Sequence, residues 1–294
     1  MSAIEHEIAS QPAAWRRAAL LATGIESELP PHGARVAVIG CGTSFYMAQA
    51  YAAAREAAGV GESDAFAASE VPAHRRYDAL LAISRSGTTT EVVRALEVVR
   101  NGTPGYAVVG VAETPVALAA EHAVVLDFAD EKSVVQTRFA TTALVLLLAH
   151  AGIDVEGLAD RAEAALATEL PVEFVSAGSF VFLGRGWTVG LANEAALKLR
   201  EAALARAESY PALEYRHGPI ALADARTVVW LLGALDDDLL ADIRATGASV
   251  VATADHPLAD LVLVQQLAVA LARSRALDPD HPRNLTRSVV LTSQ

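Results

Sequence analysis

The chain of 294 residues holds 35 acidic and 23 basic side chains, a formal net charge of −12, and one cysteine, Cys41. That balance argues against general nucleic-acid binding, and a lone cysteine excludes an intramolecular disulfide or a cage of several thiolates around a metal. Hydrophobic residues make up 53% but aromatics only 5%, which predicts alanine-lined helices packed closely, in one large domain or two of about 150 residues each.

Residues 3–22 have helical spacing broken at Gln11-Pro12, and a proline there suits the start of a second helix. The N-terminal residues are acidic early and lack the basic start and apolar core of a secretory signal, so a cytoplasmic protein is expected. Residues 35–39 form a mostly apolar run suited to a strand buried on both faces. The run enters Gly40-Cys41-Gly42-Thr43-Ser44 and then an alanine-rich helix to about residue 58. Phe45 stands where the dinucleotide fingerprint has its third glycine, so that motif is incomplete.

Residues 79–83 are a second buried run, opening into Ser84-Arg85-Ser86-Gly87-Thr88-Thr89-Thr90-Glu91 ahead of an amphipathic helix over 92–100. A helix cap needs one hydroxyl. Five hydroxyls and an arginine in one turn exceed that need and suit a phosphate, whose oxygens accept from hydroxyls, backbone N–H groups and Arg85. Strands follow at 106–111 and 122–126, then a polar turn over 131–138 and an apolar helix over 139–151, too short to span a membrane. Strands alternating with helices predict a parallel sheet with right-handed crossovers and ligands at the C-terminal ends of the strands.

After an acidic helix near 156–169 the pattern recurs. Residues 181–183 end an apolar run, Gly184-Arg185-Gly186 turns, and a helix starts near Thr188. The two Gly-x-Gly turns lie 144 residues apart, each between an apolar strand and an alanine-rich helix, which predicts an internal duplication. On the second helix Glu194, Lys198 and Glu201 follow i, i+4, i+7 spacing and share a face, while Leu191, Ala195 and Leu199 form a separate seating stripe. The loop Glu214-Tyr215-Arg216-His217-Gly218-Pro219 brings a histidine into a Gly-Pro break. Strands are expected at 227–232 and 248–252 and a helix at 261–275. No serine-rich turn follows Leu232, so only the first half retains the anion loop. The expected division is an N-terminal helical segment (1–27), a phosphate-binding domain (28–168) and a second domain (169–294) whose polar tail folds back over a site.

Eight stretches, EIASQP, GCGTS, SRSGTTTE, VVQTRFATT, FLGRG, NEAALKLRE, EYRHGP and PRNLTRSV, run in order from Glu7 to Val289. Together they resemble the SIS (sugar isomerase) family, in particular the isomerase half of glucosamine-6-phosphate synthase and the stand-alone phosphosugar isomerases and deaminases. The resemblance implies an α/β fold of two tandem doubly wound, flavodoxin-like subdomains. It implies a sugar phosphate held by Ser44, Ser84, Ser86 and Thr89, with Thr43 and Arg85 beside them, and a base, Glu201, that moves a proton between C1 and C2. His217 matches the ring-opening histidine, which the family takes from a neighbouring subunit, so a homodimer with shared sites is implied. Lys198 and Glu194 would flank the base, Lys198 stabilising oxyanion charge. No metal or organic cofactor is implied, and no nucleic-acid or membrane partner.

Two departures matter. Arg287 stands where the synthase carries a Schiff-base lysine, and a guanidinium stays protonated and cannot form that imine. The glutaminase half of the synthase has no counterpart in these residues, so the chain alone is not expected to take nitrogen from glutamine. The expectation is therefore aldose–ketose isomerisation of a hexose or amino-hexose 6-phosphate, with Arg287 or Lys198 as the electrophile. Amino-sugar deamination is the alternative. A non-catalytic sugar-phosphate sensor is the alternative of another class, disfavoured because Glu201 and His217 are both retained.

Overall fold

The computed structural model describes residues 2–291 except 73, 100, 101, 235, 253 and 254. The chain divides into two units, one of residues 10–156 with 286–294, the other of residues 1–9 with 157–285.

In the first unit the strands β1 (Val36–Gly40), β2 (Ser63–Ala67), β3 (Ala79–Ser84), β4 (Gly105–Val109) and β5 (His122–Val125) form a parallel sheet in the order β2-β1-β3-β4-β5. The helices are α2 (Gln11–Leu21), α3 (Thr43–Ala57), α4 (Thr90–Val99), α5 (Pro115–Ala119) and α6 (Arg138–His150). Every residue of β1 and β3 is buried, as continuous apolar runs require when both faces are covered. Pleat alternation decides which side chain faces which layer. Ala37, Ile39, Leu80, Ala82, Ala107 and Val109 pack with Val92 and Leu96 of α4 and Val116 of α5. On the other face, α3 packs on β1 and is itself covered by α6, which α2 joins. Trp15 and Gln11 of α2 fix that last contact: the Trp15 indole donates to Thr141 Oγ1 at 3.0 Å, and Thr141 donates to Gln11 Oε1 at 2.7 Å.

The second unit holds α1 (Ala3–Ala9), α7 (Leu158–Leu166), α8 (Val172–Val175), α9 (Thr188–Ala203), α10 (Asp237–Ala245) and α11 (Pro257–Ser274). Its strands β6 (Ser179–Gly184), β7 (Ala207–Pro211), β8 (Thr227–Leu232) and β9 (Ser249–Ala252) are parallel in the order β7-β6-β8-β9. This is the first sheet's order without its last strand, as a duplication predicts. Val181, Leu183, Val229 and Leu231 pack against Leu239 and Ile243 of α10. Trp230, on the alternate face, lies 6.3 Å from Phe182 and 6.1 Å from Phe174, ring centre to ring centre.

The two Gly-x-Gly turns show the duplication at atomic detail. A Cβ on Gly40 would lie 2.5 Å from the carbonyl carbon of Ser44, and one on Gly184 would lie 2.3 Å from the carbonyl oxygen of Thr188. The glycine partners Gly42 and Gly186 both take left-handed φ, 55° and 57°. In each turn the first glycine lets the helix start against the strand and the second reverses the backbone.

Several elements differ from the sequence expectation. The edge strands β2 and β7 were not expected, nor were α5 and α10. The sequences of β2 and β7, SDAFA and AESYP, are short, polar and only partly buried, so they lack the apolar run that marks a central strand. Helix α11 begins at Pro257, four residues before the expected start. The expected end of α4, Arg100, lies outside the described residues. No helix among the described residues is long and apolar enough to cross a membrane.

Candidate functional site

The strand order of the first sheet reverses between β1 and β3, and ligands of such sheets bind in the crevice beyond the strand ends there. Two of the loops singled out in the sequence leave from this point. After β1, the close approach allowed by Gly40 places Thr43 and Ser44, both buried, in the first turn of α3. After β3, Ser84 Oγ accepts from the N–H of Gly87 at 3.2 Å, and Ser86 Oγ accepts from the N–H of Thr88 at 3.2 Å. Gly87 has φ +65°, and a Cβ there would meet Thr114 Oγ1 at 2.0 Å, so no other residue fits the turn. Thr88 Oγ1 lies 3.2 Å from Ser86 Oγ, and half-buried Thr89 directly precedes α4. The loop thus gathers hydroxyls at a helix N-terminus, where partial positive charge and N–H groups favour an anion.

Arg85 is placed otherwise than the sequence suggested. Its side chain is buried, with Nη1 donating to the carbonyls of Ser133 (2.6 Å) and Val134 (3.2 Å) and Nη2 to that of Arg287 (2.6 Å). It joins the serine loop to the turn before α6 and to the C-terminal tail. The tail itself lies on the loop. Ser288 Oγ accepts from Thr88 Oγ1 at 2.8 Å and Ser86 Oγ at 3.1 Å, and the N–H of Leu291 donates to Thr90 Oγ1 at 2.9 Å. Arg287 Nη2 pairs with Asp130 Oδ1 at 2.5 Å, and Nη1 donates to the carbonyl of Glu131. The buried Glu131 carboxylate accepts from the N–H groups of Thr137, Arg138 and Phe139 and from Thr137 Oγ1, which caps α6.

Asp130, Glu131 and Ser288 were not singled out from the sequence. Ser288 lay within PRNLTRSV. Glu131 acts through its backbone carbonyl and through helix N–H groups six to eight residues away, and Asp130 through an ion pair with Arg287 far along the chain, which no side-chain periodicity reports.

In the second unit α9 carries the other cluster. Lys198 Nζ lies 3.3 Å from Glu194 Oε1 and 2.6 Å from Glu201 Oε2. Lys198 and Glu194 are each 1% exposed, while the Glu201 side chain is 20% exposed. Burial pulls the Lys198 pKa down, but Glu194 and then Glu201 outweigh it and hold the ammonium above its usual value. One ammonium between two carboxylates leaves a net negative charge, and Glu201 is the member that reaches the surface. With its head buried, Lys198 holds the Glu201 carboxylate in place through the 2.6 Å contact.

His217 closes a 3-10 turn over Ala212–His217 and is exposed. Among the described residues no hydrogen bond joins it to the Glu201 cluster.

The SIS domain family model matches residues 32–151. The glutamine–fructose-6-phosphate aminotransferase (isomerizing) of Sulfurisphaera tokodaii is 27% identical over 294 residues, covering 87% of this chain and 50% of that protein. The chain thus spans about half the length of the curated relatives it matches. Among solved structures, glucosamine-6-phosphate deaminase from Thermotoga maritima superposes with a TM-score of 0.81 at 26% identity, covering 99% of this chain and 100% of that one. Tagatose-6-phosphate ketose/aldose isomerase from Escherichia coli shares the fold, with a TM-score of 0.78 at 21% identity and 95% coverage of each chain. The duplicated parallel sheets and the serine loop at the first switch point agree with these matches, and residues 32–151 carry the match to the SIS domain family.

Proposed function

We propose that this protein is an aldose–ketose isomerase of a hexose 6-phosphate or amino-hexose 6-phosphate. The observation that carries the reading is the Glu194–Lys198–Glu201 cluster, a partly exposed carboxylate held 2.6 Å from a buried ammonium. Such a carboxylate is a base suited to a carbon acid. Glu201 takes the proton from C2 of the open-chain aldose. The C–H electron pair becomes the C1–C2 double bond as the carbonyl pair moves to O1, which takes up a proton from solvent, giving an enediol. Return of the proton from Glu201 to C1, with the O2 proton released to solvent in place of the one O1 took up, yields the ketose. His217, reaching the site of a neighbouring copy in a homodimer, opens the sugar ring by moving a proton between O1 and the ring oxygen.

The phosphate is assigned to Thr43, Ser44, Ser84, Ser86 and Thr89, supported by the hydroxyls and N–H groups at the starts of α3 and α4. Arg85 shapes that loop. The same reading divides the chain functionally near residue 168 into a phosphate-binding part and a proton-transfer part, and places the protein in the cytoplasm.

Deamination of an amino-hexose phosphate is the second reading. It is supported by the match over 99% of this chain to the Thermotoga maritima glucosamine-6-phosphate deaminase structure. Incubation with glucose, fructose, tagatose and glucosamine 6-phosphates tests both. Ketose or aldose product without ammonia supports the first reading and ammonia release the second; binding without conversion of any sugar contradicts both.

A further inference from the structure

The unit of residues 10–156 with 286–294 contains a closed chain of charged contacts that the proton-transfer chemistry does not use. Asp130 Oδ1 and the Glu131 carbonyl both receive the Arg287 guanidinium. The Arg287 carbonyl receives Arg85 at 2.6 Å, and Arg85 leaves the serine loop directly after β3. One residue further on, Ser288 Oγ sits on Ser86 and Thr88. Glu131 in turn caps α6 through its carboxylate, so the turn that receives Arg287 is fixed to a helix and is not a free loop. The Arg287 side chain is 37% exposed and that of Asp130 30%, which leaves the pair at the edge of solvent, where geometry decides its value more than charge does.

We propose that Arg287 is a positioning residue: its fork clamps the C-terminal tail to Asp130 and Glu131, and the tail in turn fixes, through Ser288 on Ser86 and Thr88, the loop that carries the phosphate-binding Ser84, Ser86 and Thr89. This rests on the reading of the serine loop as the phosphate site and gives Arg287 a role there instead of at the reacting carbons. The planar guanidinium presents two donors at fixed separation to a carboxylate and a carbonyl at once. An ammonium is a point donor on a flexible stem and cannot reproduce that span.

The test is calorimetric titration with inorganic phosphate, and steady-state kinetics with whichever hexose phosphate is turned over, on the wild type, Arg287→Lys, Arg287→Met, Asp130→Asn and the Asp130→Asn/Arg287→Met pair. Thermal melts report folding of each. Phosphate affinity and KM are expected to weaken about tenfold in Arg287→Met and Asp130→Asn with kcat within about twofold. Arg287→Lys should recover only part of the loss, and the pair should be no worse than the worse single variant, because both remove one contact. If the wild type binds phosphate and all variants bind it equally well, the clamp is refuted while the phosphate loop stands. If the wild type binds no phosphate, the loop reading itself fails. A loss of kcat with unchanged phosphate affinity in Arg287→Met would overturn the proposal by placing the guanidinium at the reacting atoms.

Discussion

Lys198 Nζ lies 2.6 Å from Glu201 Oε2 and 3.3 Å from Glu194 Oε1 on one face of α9. The i, i+3 and i, i+4 separations that bring them together are ordinary on a helix surface, where such a pair contributes about 0.3–0.5 kcal/mol. Burial changes the scale. With Lys198 and Glu194 each 1% exposed, neither charge is tolerated without the other.

Lys198→Met therefore leaves buried Glu194 without its counter-charge and is expected to destabilise the protein by about 3–5 kcal/mol. Chemical denaturation measures this. If the variant folds, loss of the ammonium that holds Glu201 Oε2 at 2.6 Å should lower kcat while phosphosugar affinity stays within a few-fold. An unchanged kcat would separate Lys198 from the base.

The serine loop makes a different prediction. Ser86→Ala combined with Thr89→Ala removes two donors and should weaken phosphosugar binding at least about tenfold, since bonds to charged groups contribute about 1.5–3 kcal/mol each. Unphosphorylated sugars should show no such dependence. Titration of both classes against the variant distinguishes loss of an anion site from general damage.

The Gly-x-Gly turns predict an ordered pair of effects in each unit. Gly40→Ala and Gly184→Ala drive a Cβ into helix backbone at 2.5 Å and 2.3 Å and should cost about 1–3 kcal/mol or more. Gly42→Ala and Gly186→Ala meet nothing within 4 Å and bear only the left-handed backbone strain of about 1–2 kcal/mol. Thermal melts of the four variants check the order.

His256 predicts a stability change with pH. Burial, then Arg161, lowers its pKa from 6.5 to about 4, and its Nδ1 accepts from the N–H of Leu258 at the start of α11. The folded state keeps the ring neutral while the unfolded chain binds a proton below about 6.5. Its contribution is therefore complete above pH 6.5 and is lost progressively as the pH falls toward 4. Replacement by asparagine, which keeps an acceptor for the cap, should flatten the fall in melting temperature across that window.

The sheet centres and the candidate residues were legible in the sequence because each follows from a local pattern. The runs at β1 and β3 are apolar throughout, the turns carry glycines whose absence of a side chain is required, and Glu194, Lys198 and Glu201 share helical spacing. The edge strands β2 and β7 were not legible, because partly buried edges carry polar residues that read as loop. The bonds of the Arg85 side chain within the protein were not legible for a related reason. Its partners, the carbonyls of Ser133, Val134 and Arg287, are backbone atoms brought near by the sheet and tail, and backbone carbonyls leave no mark in composition. The exposure of Glu201 relative to Lys198 likewise depends on packing that spacing alone does not report.

The central claim is that Glu201 moves a proton at C2 of a phosphorylated sugar. Proton NMR in D2O, with the wild type and Glu201→Gln side by side and the sugar phosphate that the wild type converts, follows it directly. Deuterium should enter the substrate's C2 position or the product's C1 position with the wild type. With Glu201→Gln it should do neither, while phosphosugar affinity stays within a few-fold, as an uncharged isostere that cannot accept the proton requires. Exchange at undiminished rate in Glu201→Gln would contradict the account and move the base to another side chain.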